Sequence, residues 1–495
     1  MKKIILTGLI ITLGLTGCSN YLDTNQNPNS PSVNELDPSL IFPGAEMNLA
    51  NHYGDYLRIV GGYFAEQYAQ TYGTSNYLDY SQWIMSATRS DRAYSQLNSL
   101  CLANLETVRT MATQTEDWGT YLAATTLRAF TYQVLVDCYG EVPYTEAMDI
   151  TNLNPKYDDG QTVYEGILKE LDDALSKVSP SSSVCTNFLF STKAVTEWIQ
   201  LANALKLKIL MRMSNVVDVK SQLSALIAEG NFPTKDVAWQ NRKNDNLWVD
   251  QSGKANPFYQ EEFATYFGST QVNVVANLAL TQTMQSSNDA RLMAIISPNK
   301  SGDYTGAVSG TNFSGTKTYT ANYWCRPLIT YDASVYLITV AETEFFLAEY
   351  YARYGGDAAS HYQAAVEASF NTFGISGADK VLAAYPWDAA NYQRVIGIQK
   401  WVALAGVNNF EAWCELRRLK YPAFGTVSGT DIYSGGDNYS PNVYVAGTLY
   451  TPILCNTELG KNTVLQRFPY AISSSSHNAN APATQSGNTP VFWAK

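Results

Sequence analysis

Apolar residues recur at helical spacing along several long stretches of the chain. Within residues 118–137, Leu122, Ala129, Tyr132 and Val136 fall near one face, which predicts a helix. Residues 90–113 read as the helix before it. "CYGEVPY" (138–144) stops the pattern, because Gly140 can end a helix and Pro143 cannot continue one. A third helix is expected from about Thr162, where Thr162 and Glu165 have capping-box spacing ahead of "GILKELDDAL". In "WIQLANALKLKILMRMSN" (198–215), Trp198, Leu201, Ala202, Leu205 and Ile209 form one stripe, and Lys206 and Lys208 are expected to face elsewhere.

The texture changes between about 216 and 334. Asn, Gly, Ser, Thr and aromatic residues predominate there, which predicts long loops with short helical and strand pieces. Helical spacing returns in "LITVAETEFFLAEYYARYG" (337–355). It continues in "AASHYQAAVEASFNTFG" (358–374), where Tyr362, Ala365, Val366, Ser369 and Phe370 share a face. Gly355-Gly356 between them predicts an antiparallel helix pair. A further pair is "AANYQRVIGIQKWVALAG" and "NNFEAWCELRRL", with Gly406 closing the first helix and Asn408 capping the second. Periodicity thus predicts a mainly α protein of helical hairpins with a loop-rich insertion. Hairpins of this size suggest a solenoid-like scaffold, although the tetratricopeptide (TPR) consensus is not clean.

Composition narrows the function. The 495 residues are 45% hydrophobic and 16% charged, with a net charge of −11. No long basic run is present, which argues against nucleic acid as a partner. The chain has 34 Tyr and 10 Trp, whose flat faces and polar edges suit sugar rings or peptides when they are not core. Three His (His52, His361 and His477) lie far apart, and none of the later cysteines forms a C-x-x-C pair. Neither a metal site nor a Cys/His nucleophile is readable, and no cofactor is implied. "DTNQNPNSPS" places Asp23, Asn25 and Asn27 at calcium-loop spacing. Pro28 and Asn34 stand where that loop needs Gly and an acid, so the segment reads as a tether.

The N-terminus carries a localisation signal. Lys2 and Lys3 precede the apolar run Ile4–Leu15, too short to span a bilayer and fit for a signal peptide. Leu15-Thr16-Gly17-Cys18 resembles a bacterial lipobox, which would leave residues 1–17 as signal peptide and Cys18 as a lipidated N-terminus. Residues 18–38 are then a polar tether, and residues 39–495 a single domain. Its helical scaffold covers about 90–215 and 335–420, and its insertion about 216–334.

An ordered set of segments resembles the SusD/RagB family of outer-membrane nutrient-binding lipoproteins, in its SusD-like branch. The set comprises the lipobox with "YLDTNQNPNSP", then "YSQLNSLCLANLETV", "QVLVDCYGEVPYTEA", "PKYDDGQTVYEGILKELDDAL" and "WIQLANALKLKILMRMSN". It continues with "NDARL", "ITVAETEFFLAEYYARYG", "IGIQKWVALAGVNNFEAWCELRRLKYP", "QRFPY" and "VFW". The resemblance implies four TPR-like helix pairs under a loop-rich ligand-binding face. It also implies a surface lipoprotein of the outer membrane that passes glycans, or in some members peptides, to a SusC-like TonB-dependent transporter. It implies no enzyme. On physical grounds the motif blocks are mostly fold: Trp198, Trp401 and Trp413 should be core, and Arg212, Arg417 and Arg418 ion-pairing or capping groups.

Ligand contacts are expected in loops. One candidate group is Asn76, Tyr77, Asp79, Tyr80 and Trp83, after a helical stretch from Tyr63 to Tyr72. The other is Trp248, Tyr259, Tyr266, Tyr304, Tyr323 and Trp324 in the insertion. Aromatic faces would stack on sugars, and Asn and Asp would bond hydroxyls. Two other classes compete. A glycan-cleaving enzyme would need two carboxylates across a cleft, and a pure scaffold would need no ligand loop.

Overall fold

The protein is described from a computed structural model, covering residues 37–149, 151–190, 192–243, 245–266, 272–311 and 322–495. The signal segment, Cys18 and nearly all of the tether lie outside these residues. Helix α1 (Pro38–His52) starts where the Asp37 side chain accepts from the Ser39 N–H at 2.7 Å, with proline at the first helical position. A wider helical turn leads into α2 (Arg58–Phe64). Among the helices that follow are α3 (Ala103–Gln114), α4 (Trp118–Tyr139), α5 (Gly160–Lys177) and α6 (Val195–Met213). Then come α7 (Leu278–Ser286), α8 (Val340–Tyr354), α9 (Ala358–Asn371), α10 (Tyr392–Leu404) and α11 (Asn409–Leu419).

Four hairpins build the scaffold: α3 with α4, α5 with α6, α8 with α9, and α10 with α11. Helix α4 is buried on nearly all sides because α3, α5 and α6 all pack on it, which explains why its sequence is apolar beyond one stripe. Trp198, Trp401 and Trp413 are in the core as expected. The α8–α9 turn uses Gly355 and Gly356 at φ 94° and 140°, where other residues are strained. Asn408 caps α11 by accepting from the Glu411 N–H at 3.3 Å. Helix α5 starts earlier than the Thr162–Glu165 spacing suggests. Asp159 is its cap, accepting from the Thr162 N–H at 3.0 Å, and Glu165 instead accepts from Gln161.

Lys208 is a second correction, since it is fully buried rather than turned outward. It pairs with Glu342 at 2.9 Å and Glu411 at 3.2 Å, inside a charge network at the centre of the scaffold. Arg212 bridges Asp137 at 2.5 Å, Glu415 at 3.2 Å and Glu411. Lys400 and Arg418 pair with Glu415 at 2.9 and 2.6 Å, and Arg418 also reaches Glu349 at 2.5 Å. The network links α4, α6, α8, α10 and α11. Charge pairing outweighs stripe position here, because a buried ammonium is tolerated only with close carboxylates.

Short antiparallel strand pairs tie the loop-rich part to this frame. β1 (Tyr68–Gln70) pairs with β3 (Val274–Ala276), β2 (Val237–Trp239) with β6 (Val335–Ile338), and β4 (Ile296–Ser297) with β5 (Arg326–Pro327). The stretch Tyr63–Tyr72 is therefore not one helix. Helix α2 ends at Phe64, Glu66 turns the chain at φ 52°, and residues 68–70 extend to meet β3. The expected insertion contains helices, α7 among them, as well as loops and strands.

Candidate functional site

Helix α7 begins where Asn277 caps it, the side chain accepting from the Ala279 N–H at 2.8 Å. Leu278, Thr281, Gln282 and Gln285 follow at helical spacing and lie along one edge of a groove of about 430 Å³. The opposite edge comes from Asp303, Tyr304, Thr305, Gly306 and Tyr323, with Tyr439 and Pro441 from a third loop. The volume suits a few sugar units or a short peptide, within the usual range for ligand sites.

Asn299 organises two of these loops. Its side-chain oxygen accepts from the Ser301 and Asp303 N–H groups at 2.9 Å each, and its amide donates to the Tyr323 carbonyl at 2.8 Å. The Ala307 N–H donates to the Ala276 carbonyl and the Leu278 N–H to the Ala307 carbonyl, each at 2.9 Å, so the loop lies against the start of α7. Gly306 permits this approach. A Cβ there would sit 2.5 Å from Thr281 Oγ1 and 2.6 Å from the Leu278 backbone.

The aromatic wall is braced from behind. Trp324 is buried and meets Tyr323 edge-on at 4.8 Å and Tyr439 edge-on at 5.4 Å. Tyr72 packs on Trp324 at 4.8 Å and stacks on Tyr433 at 5.0 Å. The Tyr439 hydroxyl donates to the Gly306 carbonyl at 2.9 Å. Tyr304, Tyr323 and Tyr439 are half-buried and line the groove. Gln282 is half-buried and Gln285 exposed, and both amides face the groove as donor-acceptor groups. The arrangement offers ring faces for stacking and amides plus one carboxylate for hydroxyls.

The structure distributes the expected contact residues over several environments. Tyr304 and Tyr323 come together in the groove. Tyr77, Tyr80, Trp83, Trp248 and Trp324 are 7%, 2%, 0%, 2% and 1% exposed, which corrects their reading as open stacking platforms. Tyr77 donates to Glu262 and stacks on Tyr80 at 5.7 Å, and Arg89 covers the Tyr80 ring at 4.8 Å. Burial pushes the Glu262 carboxyl up to about 7, so the Tyr77 hydroxyl meets an acid that is readily protonated. Trp83 donates to the Tyr63 carbonyl at 3.3 Å, and Trp248 to the Trp239 carbonyl at 3.2 Å. Each of these rings has taken protein for its partner.

Asp79 is ion-paired with Arg89 at 2.6 Å, and the carbonyl of the exposed Asn76 accepts from Arg89 at 3.0 Å. Tyr259 meets Tyr331 edge-on at 6.4 Å, and the Tyr266 hydroxyl donates to Asp250, away from the groove lining. Tyr439, Gln282, Gln285 and Asp303 were not singled out in the sequence. The α7 residues carried a usable signal, four positions on one helical face that include two amides. Tyr439 carried none, because only the fold brings it beside Tyr323. Among the described residues, no group of three or more His, Cys, Asp or Glu is placed to hold a metal ion, and no helix is long and apolar enough to cross a membrane.

Comparison with known proteins places the chain among outer-membrane binding proteins. The SusD-like family model, described as starch-binding and associating with the outer membrane, matches residues 28–437. No curated protein matches by sequence. Among solved structures, a SusD homologue from Bacteroides uniformis is 21% identical with TM-score 0.71, covering 93% of this chain and 100% of its own. A chitin-binding protein is 19% identical with TM-score 0.72, covering 92% and 100%. A Bacteroides vulgatus outer-membrane protein whose suggested role is nutrient binding is 19% identical with TM-score 0.67, covering 93% and 100%. At these identities the solved structures establish the shared fold.

Proposed function

The chain belongs to the SusD-like family of binding proteins, and from that membership we propose that it captures glycans at the cell surface for a partner TonB-dependent transporter. The observation that supports the glycan reading is the groove. Three half-buried tyrosines and the amides of Gln282 and Gln285 line one cleft on a braced frame. Sugar rings present apolar faces to aromatics and hydroxyls to amides, so this combination fits an oligosaccharide. The family's description as starch-binding and the likeness to a chitin-binding protein point the same way. Among its described lining residues Asp303 is the one carboxylate, and in this reading the ligand leaves unmodified.

In this proposal residues 1–17 are removed as a signal peptide, Cys18 is acylated, and residues 39–495 act as one domain. Acyl chains contribute about 0.8 kcal/mol per buried methylene, and two of them anchor a protein stably. Cys18→Ala is expected to leave thermal unfolding unchanged while the protein moves from the membrane fraction to the soluble fraction. Retention of the variant in membranes stripped of the transporter would show that the anchor lies elsewhere.

The function itself is tested on an array of plant, fungal and host glycans and of peptides, probed with the purified chain lacking residues 1–18. Binding to one glycan class without turnover is the expected result. Binding confined to peptides would replace the glycan by a peptide in the same uptake role, and release of shorter sugars would contradict a binding protein.

A further inference from the structure

Two walls of the groove meet at one buried cluster of side chains. Asn277 stands just before α7, Ser309 just beyond the lining segment 303–306, and Tyr450 in a distant part of the chain. All three are fully buried. The Tyr450 hydroxyl donates to the Asn277 side-chain oxygen at 3.0 Å and accepts from the Ser309 N–H at 3.0 Å. The Asn277 oxygen also takes the Ala279 N–H, which caps α7. Its amide donates to Ser309 Oγ at 2.8 Å and to the Tyr68 carbonyl at 3.4 Å. The whole hydrogen-bonding capacity of the Asn277 side chain is therefore used.

Tyr450 is itself fixed. Its N–H donates to the Glu66 carboxyl at 3.2 Å, and its ring meets Tyr444 edge-on at 6.2 Å. The third loop is tied to α7 nearby, where the Gly447 N–H donates to Thr283 Oγ1 at 2.9 Å. The backbone bonds at Ala307 join the loop to the start of α7 at one point, about which two walls could still twist. The Tyr450 hydroxyl adds a second point, engaging both walls at once. A buried polar cluster with every partner supplied selects one geometry, because any other leaves polar groups unpaired away from water.

We propose that Tyr450 and Asn277 are the positioning residues of the groove, locking its two walls at their working separation before a ligand arrives. The inference rests on the glycan reading of that groove. Neither side chain lines it. They act through Gln282 and Gln285 on α7 and through Asp303 and Tyr304 on the facing loop. A preformed groove avoids the cost of ordering its walls on binding. An oligosaccharide that touches both walls depends on their separation, whereas a disaccharide resting on one wall does not.

The test compares Tyr450→Phe with Tyr164→Phe. Each removes one buried hydroxyl and keeps the ring, and the Tyr164 hydroxyl donates to Asp137 within the scaffold. In hydrogen–deuterium exchange of the free proteins, Tyr450→Phe should speed residues 278–285 and 303–309 together by about tenfold, and Tyr164→Phe should speed neither selectively. Calorimetry then uses maltohexaose and chitohexaose with maltose and chitobiose. Tyr450→Phe should weaken the hexaose that binds by about fivefold or more and its disaccharide by less than about twofold. Asn277→Ala should act in the same direction, and the double variant should lose less than the sum of the two. Unchanged exchange in both walls, an equal loss in Tyr164→Phe, or an equal loss for hexaose and disaccharide would each overturn the proposal. Should neither hexaose bind, the exchange result decides alone. The Tyr304→Ala and Tyr323→Ala variant separates this inference from the glycan reading, and its walls should exchange normally. Full affinity in that variant removes the groove as the site. Its loss of affinity beside an unaffected Tyr450→Phe leaves the groove in place and removes only the positioning role.

Discussion

Replacing Tyr304 and Tyr323 together by Ala is expected to weaken glycan binding by about 30-fold or more while leaving the melting temperature nearly unchanged. The magnitude follows from ring faces acting as anchors. Truncating a central aromatic contact commonly costs about 2 kcal/mol or more, and 1.4 kcal/mol is a factor of ten. The fold should survive because both rings are half-buried at the edge, while Trp324 behind them is the buried brace. Gln282→Ala with Gln285→Ala should have a smaller effect, since lost hydrogen bonds to hydroxyls are partly replaced by water. Calorimetry against the glycan selected on the array decides the matter. Unchanged affinity in the double tyrosine variant, with the fold intact, would remove the groove as the site. A matched loss in Tyr77→Phe would instead point to the buried Tyr77–Glu262 contact as the support of a different surface.

The helical frame was legible because its evidence is local. Stripes such as Trp198-Leu201-Leu205, the Gly355-Gly356 turn and the Asn408 cap each act within a few residues, and the structure places them as read. The binding surface was less legible because a tyrosine in a loop has the same sequence signature whether its ring faces solvent or protein. Trp83 shows the difference: the preceding chain folds back through β1, and the Tyr63 carbonyl takes its indole N–H. Tyr323 and Trp324 are neighbours in sequence, yet one lines the groove and the other is buried behind it. Both lie in the turn that precedes β5, where no regular alternation of side chains is readable from sequence. Lys208 failed in the opposite direction. Its partner carboxylates, Glu342 and Glu411, lie on helices more than a hundred residues away, so no local pattern could mark it as buried.

Arg212→Met is expected to destabilise the fold by about 3–5 kcal/mol at neutral pH, the usual cost of breaking a buried ion pair from one side. The methionine can fill much of the space, but Asp137, Glu411 and Glu415 lose the cation that they share. The pH dependence distinguishes this from a simple packing defect. Burial alone would raise the Glu411 carboxyl, but the Arg212 and Lys208 charges outweigh it and hold the pKa at about 2, below the ordinary 4.5. Between those values the unfolded chain binds more protons than the native one, so this group's stabilisation is complete above about 4.5 and is lost as pH falls through about 2. In Arg212→Met burial gains weight, the carboxyl is protonated at higher pH, and that acid-sensitive contribution diminishes. Denaturant unfolding of both proteins from pH 7 to pH 3 should therefore show a stability gap that is widest at pH 7 and narrows on acidification. A gap of the same size at every pH would mean that lost packing governs the effect. A gap below about 1 kcal/mol at pH 7 would mean that Lys208, Lys400 and Arg418 hold these carboxylates without Arg212.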